Sequence, residues 1–413
     1  MSGARPKPAR RQDRMETVLR LVAFLLALAA LCAQADSPPD QTAQPVPQQD
    51  EAPALPVDAD IDSMPPADEA QLPPPPPFAE RADVQAFVDE LALQHGFNPL
   101  VLTEQFRQVD LRPNILAIFD RPSTSRPYYQ FRPDFVNPTR IRLGVEFWHS
   151  HAELIAAVAE QYGVEPEYLV SILGVETLWG RNTGKFRVMD VLSTAAFDYP
   201  RRADFFRSEL REFLLLAREE GSDPFGFRGS YAGAMGMPQF MPSSYHRFAQ
   251  DWDGDGHRDI RDNTGDILAS VANYFVAHGW AKGQPVLLPA QVEGEAWQPL
   301  AADKFNLHYR ISELAAFGVR SAVAVEGDPL AVLAPLESAP GVTDFWLGLG
   351  NFYALTRYNR STLYAMAVHE LALAIKAAWL DPSLLPPKPQ PVVRKANKRK
   401  AKQAVKRKKV RRK

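Results

Sequence analysis

The distribution of proline and charge along the 413-residue chain limits which part of it can fold. Residues 36–78 contain thirteen prolines, nine acids and no lysine or arginine, and residues 388–413 contain fourteen lysines and arginines and no acid. Neither segment can bury enough apolar surface to offset the entropy lost on folding. We therefore predict a disordered linker over 36–79, a folded region over 80–384 and a disordered tail over 385–413.

The N-terminus has the pattern of an export signal. A basic stretch precedes the apolar run 21–31, and AQA at 33–35 fits the small-x-small rule for signal-peptide cleavage. We predict a signal peptide over 1–35, with Met1 or Met15 as the start, and export to the periplasm. The alternative is a membrane anchor, but the run is shorter than the about 20 apolar residues that span a bilayer.

The only cysteine, Cys32, lies inside this predicted signal. A lipoprotein signal would place a small residue before it, whereas Leu31 stands there. Simple cleavage is therefore favoured over a lipid anchor on Cys32. The mature chain would then have no cysteine, which excludes disulfides and thiol catalysis.

Outside the two ends, the chain is strongly acidic. Residues 36–387 contain 27 basic and 47 acidic residues, a net charge of −20. A protein that binds nucleic acid needs basic surface for the phosphates. We therefore expect no nucleic-acid partner for the folded region, and no oligomeric state follows from the sequence.

The spacing of apolar residues predicts a mainly α (α+β) fold. Helical periodicity begins near Asp83 and predicts further helices near residues 145–162, 166–178, 186–197, 201–219, 242–250, 264–279 and 361–379. The short apolar runs QPVLLPAQV, SAVAVEG and LAVLAPL, bounded by Gly, Pro and Asp, predict strands. We therefore expect a helical core over about 145–282, a small β-containing part over about 283–350 and a C-terminal helix over about 361–379.

The stretch GVETLWGRNTG places one acid, Glu176, at the end of an apolar helix. A carboxyl group among Leu173, Val175, Leu178 and Trp179 loses solvation, so its pKa should rise. A carboxylic acid that is protonated near neutral pH can protonate the leaving oxygen of a glycosidic bond. The alternative is a helix-end glutamate that reaches water or caps the turn.

Three further stretches accompany the first one. They are FDYPRRADFF at 197–206, GSYAGAMGMPQFMPSSYHRFA at 229–249 and TRYNRSTLYAMAVHEL at 356–371. Together, in this order and spacing, the four stretches resemble the lytic murein transglycosylase B family, whose members cleave bacterial peptidoglycan on a lysozyme-like core. The resemblance covers about residues 80 to 380, and it leaves out the linker and the basic tail.

The resemblance implies a reaction that needs only one carboxyl group. Glu176 would protonate the glycosidic oxygen and then act as base, while the sugar's own 6-hydroxyl attacks C1 and leaves a 1,6-anhydromuramoyl end. Ordinary glycosidases use two carboxylates, and Asp198, Asp204 and Glu370 look like surface or helix residues. A hydrolytic muramidase and a non-catalytic peptidoglycan-binding protein are the alternatives. A degenerate binder would be free to replace Glu176, and this chain has not replaced it.

The resemblance also implies a set of substrate-binding residues. Those expected on the cleft are Ser230, Gln239, Tyr274, Tyr358, Asn359 and Tyr364. Arg201 and Arg202 would also face it, where their charge suits the carboxylates of peptidoglycan. The alternatives are a glycine-rich connector around Ser230, core aromatic residues at Tyr274 and Tyr364, and ordinary solvated arginines.

The stretch DWDGDGHRDIRD at 251–262 matches the rule for an EF-hand loop. The residues at loop positions one, three, five, seven, nine and twelve are Asp251, Asp253, Asp255, His257, Asp259 and Asp262. Aspartate replaces the usual glutamate at position twelve, and its shorter arm could bind one oxygen or act through water, which leaves the affinity open. A structural Ca²⁺ is predicted, which the resemblance supports, and no organic cofactor is expected. The alternative is a solvated acidic turn.

The basic tail is extreme in composition. Residues 394–413 contain thirteen lysines and arginines among twenty residues. Such a run repels itself and is typical of disordered segments. One interpretation is a tether that attracts an anionic envelope surface, and the other is a solubilising extension.

Overall fold

The computed structural model describes residues 76–120 and 126–385. The predicted signal peptide, nearly all of the predicted linker, Cys32 and the basic tail lie outside the described residues.

The described residues are mainly helical. In chain order, the α-helices α1 to α15 are Ala82–His95, Pro99–Arg107, Leu116–Phe119, Tyr128–Phe135, Pro138–Ser150, Ala152–Tyr162, Pro166–Thr177, Val188–Asp198, Ala203–Glu219, Pro242–Phe248, Thr264–Ala277, Gln298–Asp303, Ile311–Leu314, Gly350–Tyr358 and Thr362–Leu380. Short 3₁₀ turns lie at Phe78–Glu80, Pro113–Ile115, Pro200–Arg202, Pro224–Gly226, Ala315–Phe317 and Pro382–Leu384. The predicted mainly α fold is confirmed.

One predicted helix is two helices in the structure. The sequence predicts a single helix near 145–162, whereas α5 starts at Pro138 and a break at His151 separates it from α6. The early start follows from Asn137, whose side chain accepts hydrogen bonds from the backbone N–H groups of Thr139 and Arg140. Proline at the first helical position completes this start signal.

The strands β1 and β2, at Phe186–Arg187 and Arg228–Gly229, form a separate two-stranded sheet. The small β part contains the strands β3 to β7, which are Leu287–Val292, Tyr309–Arg310, Val319–Ser321, Leu330–Ala339 and Val342–Gly348. They form a five-stranded antiparallel sheet with the strand order β4-β6-β7-β3-β5. The strand prediction for SAVAVEG is wrong beyond Ser321. There the Ser321 hydroxyl donates to the Val323 carbonyl at 2.8 Å and turns the chain away from the sheet.

The C-terminal helix α15 lies inside the main hydrophobic core. It packs against α4, α5 and α7, and Ala365, Val368, Leu371 and Ile375 are fully buried along it. Among the described residues, α15 is the one helix long and apolar enough to cross a membrane, with half of it buried inside the fold. Packing in the core accounts for its apolar composition. The sheet has a smaller core of its own, centred on Val319, Leu333 and Leu347.

Candidate active site

Glu176 is the second-last residue of helix α7, and the chain reverses immediately after it. Leu178 and Trp179 both adopt left-handed backbone angles, with φ of 53° and 55°. Such angles are costly for residues with a side chain, by about 1 kcal/mol or more each. The Trp179 indole offsets this strain because it is buried and donates a hydrogen bond to the Val170 carbonyl at 3.0 Å. The turn thereby fixes where the Glu176 carboxyl group lies.

Two glycines form the surface on which Trp179 packs. An ideal Cβ atom on Gly174 would lie 2.4 Å from the Trp179 ring. The same atom on Gly144, in helix α5, would lie 3.0 Å from the ring and 2.3 Å from Ile375 of α15. Neither position has room for a side chain, so three helices meet closely beneath the Glu176 turn.

The Glu176 carboxyl group is half-buried and accepts a hydrogen bond from the hydroxyl of Tyr364 in α15. Burial raises the pKa of Glu176 to about 7, against the lowering effects of the Tyr364 hydrogen bond and then of the Arg140 charge. A carboxyl group with this pKa is present in both protonation states near neutral pH. It can therefore donate a proton and take one back.

Tyrosine rings surround this carboxyl group. The rings of Tyr274 and Tyr358 lie 4.7 Å apart between centroids, and each also contacts Phe240. The Tyr274 hydroxyl donates to the carbonyl of Arg357 at 2.7 Å, and the Tyr358 hydroxyl donates to that of Pro238 at 2.6 Å. Burial holds the pKa of Tyr358 well above its usual value, so this phenol stays neutral. Neutral aromatic rings suit the apolar faces of sugars.

The glycine-rich loop meets the Glu176 turn through hydrogen bonds. The Thr177 hydroxyl donates to the Met237 carbonyl at 2.9 Å, and the Gln239 amide donates to the Thr183 carbonyl at 3.2 Å and to that of Gly236 at 2.9 Å. Gly184 lies so close that a Cβ atom there would come within 2.0 Å of a carbonyl oxygen of the loop. The first, third and fourth sequence stretches thus converge on Glu176.

Ser230 and Asn359 lie in these converging segments. The Ser230 hydroxyl accepts hydrogen bonds from the backbone N–H groups of Ala232 and Ala234, at 3.3 and 3.1 Å, and so stabilises the turn. The Asn359 side-chain oxygen is buried and has no partner within the described residues. It is therefore a buried acceptor that the described residues leave unpaired. The substrate-binding roles of Ser230, Gln239, Asn359 and the three tyrosines stay predictions.

The two arginines of the second stretch have other partners. Arg201 pairs with Asp120 at 2.8 Å and is mostly exposed, and the Tyr199 hydroxyl donates to the same Asp120 oxygen at 3.0 Å. The Arg202 guanidinium lies 4.0 Å from the centroid of the Phe205 ring. These contacts do not include Glu176 or its tyrosines, so the role of both arginines at the cleft also stays a prediction.

The acidic loop brings together part of its predicted ligand set. Oxygens of Asp251, Asp253 and Asp255 lie within 4.8 Å of one another. Asp262 instead pairs with its neighbour Arg261 at 2.8 Å. The Asp259 side chain accepts hydrogen bonds from the backbone N–H groups of Arg261 and Asp262. The His257 ring contacts Glu220 at 3.0 Å, while its backbone stays in the loop. The clustered carboxylates fit a hard divalent cation.

Asp266 binds the backbone of this loop from the following helix, and sequence reasoning missed it. It is fully buried at the start of α11, and it accepts hydrogen bonds from the backbone N–H groups of Trp252 at 2.8 Å and Asp259 at 2.7 Å. Burial raises its pKa, and the nearby charges of Asp253 and Asp251 add to the rise. In the sequence, the signal that could have identified it is an aspartate at the start of an apolar helical pattern, directly after the acidic loop.

The acidic loop is tied to the cleft through the backbone. The N–H group of Met237 donates to the carbonyl of Ile260 at 2.9 Å, and a Cβ atom on Gly236 would lie 2.5 Å from the same oxygen. Met237 also receives the hydrogen bond from Thr177, next to Glu176. Two hydrogen bonds therefore connect the aspartate loop to the end of helix α7.

A family model described as the transglycosylase SLT domain matches residues 79–373. The chain belongs to this family. The membrane-bound lytic murein transglycosylase B of Escherichia coli (strain K12) is 42% identical over 311 residues, which are 73% of this chain and 84% of that protein. The recognition from the four sequence stretches is therefore confirmed, as are the lysozyme-like fold and the enzyme class.

Two solved structures illustrate the likeness. The Escherichia coli lytic transglycosylase Slt35 in complex with calcium matches with a TM-score of 0.68 at 41% identity, over 73% of this chain and 95% of that chain. SltB3 from Pseudomonas aeruginosa in complex with NAG-anhNAM-pentapeptide matches with a TM-score of 0.61 at 30% identity, over 71% and 79% of the two chains.

Proposed function

We propose that this lytic transglycosylase cleaves the β-1,4 bond between MurNAc and GlcNAc in peptidoglycan and leaves a 1,6-anhydromuramoyl end, with Glu176 as its only acid and base. The observation that carries the proposal is the half-buried Glu176 carboxyl group, whose pKa is raised to about 7 beneath the Tyr364 hydroxyl. The relative SltB3 was solved with a glycan fragment that contains the anhydro sugar, which supports the same product class here.

The reaction follows from a single carboxyl group that changes its protonation state. Protonated Glu176 gives its proton to the glycosidic oxygen as the bond from C1 to that oxygen breaks. The 6-hydroxyl of the same MurNAc then attacks C1 and loses its proton to the Glu176 carboxylate. Glu176 ends protonated, so the enzyme is ready for the next cycle. The partly exposed ring of Tyr358 would contact the sugars, with the Tyr274 ring packed behind it.

The other acids of the four stretches have partners of their own, which supports the use of one carboxyl group. Asp198 pairs with Arg81 at 2.6 Å, and Glu370 pairs with Arg132. Asp204 is fully exposed on the surface of α9. A hydrolytic muramidase would need a second carboxylate near Glu176 as nucleophile or base. None of these three acids contacts Glu176 or Tyr364 among the described residues.

Mass spectrometry of digested peptidoglycan tests this proposal. We expect the wild-type protein to release anhydro ends, which are one water lighter than hydrolysed ends. Glu176→Gln keeps the shape of the side chain but cannot deliver a proton, so turnover should fall at least about a hundredfold while the fold survives. Glu295→Gln, an exposed change in the β part, is the matched control and should keep full activity.

Each alternative has its own outcome in this experiment. Hydrolysed reducing ends would identify a muramidase. Binding to peptidoglycan without turnover by the wild-type protein would identify a non-catalytic binder. Near wild-type turnover by Glu176→Gln would contradict the assignment of the acid.

We further propose that the loop 251–262 holds one structural Ca²⁺. The clustered oxygens of Asp251, Asp253 and Asp255, with the backbone carbonyl of His257, supply the hard oxygen ligands that calcium prefers. Asp259 and Asp262 would complete the set only after a rearrangement of their side chains. Slt35, which was solved in complex with calcium, supports the choice of ion. The ion would hold the loop together and take no part in proton transfer.

Location and attachment belong to the same proposal. The relative named membrane-bound lytic murein transglycosylase B indicates an envelope location, and export to the periplasm rests on the predicted signal peptide. Attraction of the basic tail to an anionic surface rests on charge alone, at roughly 1 kcal/mol for each basic residue near such a membrane. Salt-dependent sedimentation with anionic vesicles, with and without the residues after Pro391, distinguishes a tether from a solubilising extension.

A further inference from the structure

Helix α5 contacts the end of the catalytic helix through one arginine. The backbone N–H of Arg140 is fixed by the Asn137 cap at 3.0 Å, and its Nε donates to the Asp134 carbonyl at 3.0 Å. The guanidinium lies 5.2 Å from the centroid of the Phe135 ring. Its Nη1 donates to the carbonyl of Gly174 in α7. Several contacts thus direct one half-buried cation at the last turn of α7.

The Arg140 cation lies at the C-terminal end of helix α7, next to its last carbonyl groups. The C-terminal carbonyl groups of a helix carry a partial negative charge, and cations are favoured beside them. Gly174 lies two residues before Glu176, so the catalytic carboxyl group ionises next to this negative end. Burial opposes the ionised form as well. A fixed positive charge at the Gly174 carbonyl offsets both effects.

The other groups around Glu176 are neutral. Tyr364 of α15 donates its hydrogen bond to the carboxyl group, Tyr358 of α14 lies within electrostatic range, and Tyr274 of α11 stands behind both. The glycine-rich loop presents Met237 and Gln239, which do not titrate. Among the described residues, Arg140 is the cation whose charge lowers the pKa of Glu176.

We propose that Arg140 is a positioning residue of the reaction: it holds the last turn of the catalytic helix and supplies the positive charge against which the Glu176 carboxylate forms. The role follows from the two steps of the reaction and rests on the proposed function. The carboxyl group must first donate a proton and then exist as a carboxylate that accepts one. Without the cation, the carboxylate that the first step must form is less stable, so Glu176 becomes a weaker acid.

The pH dependence of kcat/KM on soluble glycan fragments tests this inference. In Arg140→Gln the charge is lost, so the pKa of Glu176 rises, and the alkaline limb of the profile should move up by about one pH unit. Arg140→Lys keeps the charge but not the planar fork, so its alkaline limb should stay near that of the wild type while kcat falls. A purely structural role would lower activity at every pH without moving the limb.

Two controls calibrate the measurement. Tyr364→Phe removes the other contact that favours the carboxylate, so it should move the limb in the same direction. Arg211→Gln removes an arginine of α9 that pairs with Glu90 of α1 at 3.0 Å, and it should leave the pH profile unchanged. Arg140→Met, which keeps the apolar stem over Phe135, takes the place of the glutamine variant if that variant melts below the assay temperature.

Two results would overturn the inference. One is an unchanged alkaline limb in the neutral Arg140 variant while Tyr364→Phe shifts it. The other is a shift in Arg140→Lys as large as that in the neutral variant, because the charge would then not be the cause. Failure of the proposed function looks different, since Glu176→Gln would then remain active.

Discussion

At the scale of single residues, the proposed site centres on the Glu176 carboxyl group, whose pKa burial raises to about 7. The sequence alone predicts the rise in the pKa of Glu176, because the apolar neighbours are adjacent along the chain. It does not reveal the Arg140 charge that opposes the rise, because Arg140 lies 36 residues earlier on another helix and only packing brings it close. The Tyr364 contact spans 188 residues, and the sequence predicts only, through family resemblance, that Tyr364 lies on the cleft.

The raised pKa of Glu176 makes stability depend on pH. The folded pKa of about 7 exceeds the ordinary value of 4.5, so the unfolded state releases this proton at lower pH than the folded state. The contribution of this group is fully present below about pH 4.5 and is lost as the pH rises through about 7.

Glu176→Gln, which carries no charge to desolvate, should therefore be more stable than the wild type at pH 8, by roughly 1 to 3 kcal/mol after allowance for partial solvent access. At pH 4 the two proteins should have similar stability. Urea unfolding at both pH values checks this. A gap of equal size at both would show that the Glu176 carboxyl group titrates normally.

At the scale of elements, the end of helix α7 depends on two glycines, Gly174 and Gly144, that leave room for the Trp179 ring. The sequence does not reveal that Gly174 and Trp179 pack against each other. Their contact depends on the left-handed turn at Leu178 and Trp179, and leucine and tryptophan normally avoid that conformation. Gly144 on α5 was also missed, because only packing brings it against Trp179 and Ile375. The apolar periodicity does predict helices α7, α11 and α15 to within a few residues.

The contact between Gly174 and Trp179 yields a direct prediction. In Gly174→Ala, the new methyl group would overlap the indole, which cannot move away without losing its bond to Val170. Such overpacking typically costs about 1 to 3 kcal/mol. We expect a lower melting temperature and a loss of activity below the melting transition, because the Glu176 turn is displaced.

Gly226→Ala is the matched control for this change, since a Cβ atom there meets nothing within 4 Å. Calorimetry and a turnover assay on both variants check the prediction. Equal melting temperatures for the two variants would show that the turn relaxes without cost.

At the scale of the whole molecule, the loop 251–262 is the place where an ion would contribute to global stability. Three carboxylates within 4.8 Å repel one another unless a cation lies between them. The loop rule groups these aspartates from the sequence, and in the structure their oxygens lie close together. The outward position of Asp262 and the buried role of Asp266 depend on how the following helix packs, which the loop rule does not include.

Calcium should raise the melting temperature of the metal-stripped protein. At a hundredfold excess of free calcium over Kd, binding adds about 2.7 kcal/mol to the free energy of unfolding. Magnesium should do less because it gives up its hydration water reluctantly. Asp253→Asn should reduce the calcium effect, and Asp344→Asn, an exposed change on β7, should not. The same melting curve with calcium and with a chelator would rule out the site.

The hydrogen bond between Met237 and Ile260 links the proposed ion to the cleft. With calcium bound as proposed, the segment that carries Gln239 is hydrogen-bonded to the same backbone loop that binds the ion. Loss of the proposed ion would therefore loosen the segment that carries Gln239, so the stability of the loop and the shape of the cleft would change together.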